Sequence, residues 1–168
     1  MEGTRRAARP RSTIVVFAIT AVLTLVVAGG TPAQAGSVDG SGGSQSFSKT
    51  GSIDARSTTP CWEYQDTWSF GNALADQGSG TYYILWCANQ AKTSVTSIPK
   101  FTCSRGPTGF WTYDGCDKHH GTLPNGRVRF TVHWYYHFSV SGARVNKTLT
   151  VDGYVYPNGG ISGTASCC

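Results

Sequence analysis

The chain has 168 residues, 39% apolar and only 14% charged, with a net charge of +5. Most of that excess comes from Arg5, Arg6, Arg9 and Arg11, opposed only by Glu2; beyond them ten basic side chains face eight acidic ones. No Lys/Arg cluster survives outside the first residues, which argues against phosphate neutralisation and against nucleic acid as a partner.

The first segment, residues 1–35, has the form of a cleavable export signal. A basic start leads into an apolar run from Ile14 to Ala28 and closes on Ala33-Gln34-Ala35, the small-x-small pattern a signal peptidase accepts. The run contains Thr20 and Thr24 and is followed at once by Gly29-Gly30-Thr31-Pro32, so it falls short of the ~20 residues of a membrane-spanning helix. The expectation is a secreted, extracellular bacterial protein with no membrane attachment after cleavage. Its mature form begins at Gly36.

Residues 36–59 are rich in Gly and Ser, with Val38, Phe47 and Ile53 as the few apolar interruptions. Such a composition buries too little surface to offset its ordering entropy, which predicts a flexible N-terminal arm. Phe47 and Ile53 are the side chains by which that arm would anchor to a partner.

The remainder, residues 60–168, reads as β throughout. Gly80–Asn89 and Ser94–Cys103 are strand candidates, and only Phe70–Asp76 hints at helix. The loop 117–127, DKHHGTLPNGR, holds His119 and His120 before the turn at Asn125-Gly126. From Val128 to Val140 apolar and polar residues alternate strictly, the period-2 signature of a strand with one buried face. Strands over Arg144–Tyr156 and Ile161–Ala165 follow, joined by a hairpin turn at Asn158-Gly159. The predicted fold is all-β, a small antiparallel sandwich or barrel.

All six cysteines (Cys61, Cys87, Cys103, Cys116, Cys167, Cys168) fall in this domain. In an oxidising compartment an even number predicts three disulfides. Cys103–Cys116 is the preferred pair, while Cys167 and Cys168 are expected to reach Cys61 and Cys87. Zinc is disfavoured because no Cys-x-x-Cys occurs. No cofactor or metal is expected.

Catalytic motifs are absent from the sequence: there is no Gly-x-Ser-x-Gly elbow and no His-Glu-x-x-His helix. Glu63, Arg129, His133 and His137 supply the residue types of a small secreted ribonuclease, a carboxylate, an arginine and histidines. That is the enzymatic alternative to a non-catalytic reading. The better-supported reading is binding, because five tryptophans and eight tyrosines exceed what one small core needs. Phe110, Trp111 and Tyr113, in the segment Ser104–Gly115 that the Cys103–Cys116 bond would staple, are candidate contact residues, together with Tyr135. The same aromatics suit sugar stacking, so a carbohydrate-binding module, with a glycan as ligand and Trp111 as its platform, is the second alternative. A trypsin-inhibiting loop at Arg105-Gly106 is a less favoured variant of the binding reading.

An export signal, a Gly/Ser-rich arm and a small Cys-stapled β domain ending in Cys167-Cys168 resemble the small adaptor subunit of umbrella toxin particles. In those secreted antibacterial assemblies a lectin subunit is joined to a repeat-rich toxin. The resemblance implies that the N-terminal arm, with Phe47 and Ile53, inserts into a lectin subunit while the β domain docks on the toxin's repeats.

Overall fold

The computed structural model describes residues 35–38, 44–54, 56, 58–71 and 77–167. The expected signal segment up to residue 34, the helix hint over 72–76 and Cys168 lie outside the described residues. Among those described there is no helix, and so none long and apolar enough to cross a membrane.

Among the described residues ten strands form two sheets: β1 (Ala35–Val38), β2 (Ser44–Thr50), β3 (Ser52–Ile53), β4 (Cys61–Phe70), β5 (Gly78–Ala88), β6 (Val95–Thr108), β7 (Thr112–Thr122), β8 (Val128–Val140), β9 (Ala143–Val155) and β10 (Gly160–Cys167). The first sheet runs β1-β4-β5-β6 with β3 also on β4; the second runs β2-β10-β9-β8-β7. Every pairing is antiparallel except β1 on β4. From β4 onward the chain is a meander that finishes one sheet before starting the other, which makes the expected sandwich.

The alternation seen over Val128–Val140 is the reason β8 sits at the heart of the second sheet. Val128, Phe130, Val132, Trp134 and Tyr136 point inward and are buried. They meet Phe70, Tyr82 and Trp86 of the first sheet; the Phe70 ring lies edge-on to Tyr136, and Tyr82 lies against Phe130 and Trp134. Two of the buried indoles, Trp134 and Trp86, satisfy their N–H groups across the interface, whereas the Trp68 N–H has no hydrogen-bond partner. Trp134 donates to the Ser104 carbonyl at 3.0 Å and Trp86 to the Tyr156 carbonyl at 3.0 Å. Gly80 lets the two sheets approach closely, since a Cβ there would lie 2.3 Å from the Trp134 ring.

Turn chemistry follows the sequence. Ser141 (φ 49°) and Gly142 (φ 85°) close the β8–β9 hairpin, and Gly126 (φ 77°) and Gly159 (φ 91°) occupy the positive-φ places of the other two predicted turns.

Three expectations need correction. First, Ser44–Ile53, placed by composition in a flexible arm, forms β2 and β3. Its backbone pairs with β10 and β4, and Phe47 packs on Trp68 in the core at 8% exposure. An edge strand needs a backbone ladder and one inward anchor, not an apolar composition. Gly51 lets the chain pass from one sheet to the other, because a Cβ there would strike the Trp86 ring at 2.4 Å. Second, residues 117–122 of the loop holding His119 and His120, and most of Ser104–Gly115, belong to β7 and β6, while 123–127 form the expected turn; only 109–111 separate the two strands. Arg105 is therefore a ladder residue opposite Gly80, not the apex of an inhibitory loop.

Third, Cys61 and Cys87 bond each other, not Cys167 and Cys168. They are register partners on β4 and β5, so the ladder itself brings them together, whereas Cys167 is buried on β10 of the opposite sheet. The Cys103–Cys116 bond is as expected. Two disulfides are thus present among the described residues.

Candidate binding surface

The second sheet carries two features at its surface: an apolar tip and a polar outer face. Burial along β8 and β9 explains the tip. The inward positions pass from fully buried Trp134 and Tyr136 through half-buried Phe138 to Val140, which is 51% exposed. On β9 the same face passes from buried Leu149 to Val145, which is 52% exposed and pairs with Phe138. The hairpin therefore outruns the core that its inner face would otherwise cover.

Phe110, in the short β6–β7 connection, leans over this overhang with its ring 6.2 Å from Phe138 and 66% of its surface exposed. Trp111 lies behind it, 5.9 Å from Phe138 and edge-on to Phe70, and is buried. The Lys147 ammonium sits over both Phe70 and Trp111 at 5.3 and 5.2 Å, closing the apolar patch with a cation. On the outward side of the same tip, Asp114 takes the His137 ring nitrogen at 2.8 Å and the Arg144 guanidinium at 3.0 Å. The tip thus has an apolar centre bordered by charged side chains.

The outer face of the second sheet is polar because its positions alternate with the core. Arg129 on β8 makes a two-pronged pair with Asp152 on β9, through its Nε at 2.9 Å and through Nη2. Arg129's hydrogen bonds hold the Asp152 carboxyl below the usual carboxylate range. His133 shares a hydrogen bond with the Thr150 hydroxyl at 2.9 Å, and its ring stacks on Tyr135. Arg129, Asp152, His133 and Thr150, together with His119 and Thr131, line an open cavity of about 540 Å³. No group of His, Cys, Asp and Glu suited to a metal ion occurs among the described residues.

The predicted contact residues are dispersed. Phe47 and Trp111 are core side chains, unavailable to a partner or to a sugar without unfolding. Tyr113 is half-buried against Tyr136. Phe110 stands at the tip, Tyr135 on the polar outer face, and Ile53 apart from both on β3 at 75% exposure. The ribonuclease constellation is also dispersed. Glu63 points outward on the first sheet, where it accepts a hydrogen bond from Tyr83 at 2.7 Å, while Arg129, His133 and His137 occupy the outer face of the second. Val140 and Val145 escaped sequence reasoning because they continue a buried-face pattern; nothing in the alternation marks where the opposite sheet stops.

Comparison of the chain with protein-family models, with curated proteins and with solved structures gives no match.

Proposed function

We propose that this is a secreted, non-catalytic protein-binding module whose principal contact is the tip of the β8–β9 hairpin. The observation that carries the reading is the exposed inner face of that hairpin, where Phe110, Val140 and Val145 form one apolar surface rimmed by Lys147, Arg144 and Asp114. Scattered surface apolar residues need no explanation, but a contiguous patch with a charged rim does. Two disulfides suit an oxidising, extracellular setting.

In the adaptor form of this proposal the tip holds one partner, such as a repeat-rich toxin. The N-terminal side, with exposed Ile53, holds a second, such as a lectin subunit. Capture of secreted proteins from native culture medium by the tagged chain tests it. A fixed-ratio partner that is lost with Phe110→Ser/Val145→Ser, and a second that is lost with Ile53→Ser, support an adaptor. Recovery of the chain alone, or of the same partners by both variants, overturns it.

A second reading, glycan binding, is favoured by the cavity on the outer face, where the planar Arg129–Asp152 pair offers hydrogen-bonding edges, and by Tyr135, whose ring stacks on the cavity residue His133. Glycan-array binding that is lost on Tyr135→Ala and Arg129→Ala, and retained by the tip variant, separates it from the first.

A further inference from the structure

Asp66 is the one carboxylate of the described residues with no exposed surface, and it lies inside the sandwich among aromatic rings. Its register partner on β5 is Tyr82, whose own hydroxyl is buried without a hydrogen-bond partner. One oxygen, Oδ1, accepts the Thr67 backbone N–H at 3.0 Å. The other, Oδ2, accepts the Tyr64 hydroxyl at 2.8 Å and lies 3.5 Å from the Lys49 ammonium. Lys49 comes from β2, the edge of the second sheet, and is the only cation that reaches this carboxylate among the described residues.

A buried ion pair loses more hydration than a single contact at 3.5 Å returns, and here one partner is wholly removed from water. The protein has a way of removing both charges. We propose that Lys49 and Asp66 condense to an intramolecular amide that bonds β2 to β4, and therefore one sheet to the other.

The step balances without any oxidant or co-reactant. A proton passes from the ammonium to the carboxylate, giving a neutral amine and a carboxylic acid. Desolvation favours that transfer, since burial raises the Asp66 carboxyl above its ordinary range. The Nζ–Cγ bond forms, and negative charge gathers on Oδ1, where the Thr67 N–H already points. The Cγ–Oδ2 bond then breaks. Oδ2 leaves as water, taking the acid proton and one proton from the amine through the Tyr64 hydroxyl. Burial raises the Tyr64 phenol, which keeps it a proton donor at neutral pH.

The location gives the bond a structural purpose. On one side of the sandwich β6 and β7, edges of different sheets, are joined by Cys103–Cys116. The Lys49–Asp66 amide would join the sheets on the other side with a link that reductants leave intact.

Intact mass and tryptic mapping of the purified, reduced and denatured protein test this. The expected result is a chain one water lighter than its sequence, no tryptic cleavage after Lys49, and a branched peptide joining the segments that hold Lys49 and Asp66. Lys49→Arg, which keeps the charge, restores the full mass, and Tyr64→Phe leaves a large uncondensed fraction. Wild-type protein that is folded by near-ultraviolet circular dichroism, has its full mass and is cut after Lys49 overturns the proposal. So does persistence of the mass loss in Lys49→Arg.

Discussion

Cys103 on β6 and Cys116 on β7 are bonded across the side of the sandwich where the two edge strands share no backbone ladder. Their Cα atoms are 6.3 Å apart, and the bond encloses a sequence separation of 13 residues. Cys61–Cys87, by contrast, spans neighbours that ten register pairs already hold.

Removing the first bond should therefore cost the full loop-closure term, about 3 kcal/mol for a loop of roughly this length. Removing the second should cost less than its longer separation of 26 residues would imply, because the β4–β5 hairpin limits the loop without it. Urea denaturation of Cys103→Ser/Cys116→Ser beside Cys61→Ser/Cys87→Ser measures both. A larger loss from the second pair would contradict the argument.

Phe47 and Ile53 looked alike in sequence and differ in burial. Phe47→Ala should cost about 3–5 kcal/mol, the usual loss for a buried aromatic, because it withdraws the anchor of β2 from Trp68. Ile53→Ser, at a residue 75% exposed, should lie within about 0.5 kcal/mol of wild type. Thermal or denaturant midpoints decide this directly, and equal effects would mean that β2 is not part of the core.

Gly80 is a packing position, not a hinge. An added methyl there must displace the Trp134 ring or the backbone, so Gly80→Ala should destabilise by about 1–3 kcal/mol and lower the near-ultraviolet signal of the buried tryptophans. A neutral result would show that the two sheets approach less closely at this point.

The Arg129–Asp152 pair makes a pH prediction with a definite sign. Arg129 depresses the Asp152 carboxyl, so the pair's stabilisation is present above the ordinary carboxylate range and is lost as pH falls through and below it. The difference in unfolding midpoint between wild type and Asp152→Asn should stay constant through neutral pH and close under strongly acid conditions. Both groups are substantially exposed, so the difference should also shrink with added salt.

The sequence was most legible where one side chain in two meets a core. The alternation from Val128 to Val140 named β8 to the residue, and the Asn-Gly pairs located their turns. It was least legible at the edges. β7 consists of TYDGCDKHHGT, eleven residues without one fully buried side chain, so nothing in its composition distinguishes a paired strand from a loop. β2 was hidden for the same reason, with Phe47 its one buried side chain among the described residues. The tip was hidden differently. Val140 and Val145 obey the buried pattern, and their exposure depends on how far the opposite sheet extends, a distance no local periodicity encodes.

β10 lies between β9 and β2, so strands from the early and the late part of the described chain are neighbours in one sheet. A chain emerging from its N-terminus can form the β4–β6 and β7–β9 meanders early, since those contacts are local. β2 must wait with its ladder unpaired until residues 160–167 arrive. Completion of the second sheet is therefore the slow, non-local event of folding. The eight residues of β10 act as a latch, so a chain shortened before them would lose the seat of β2 along with β10 itself.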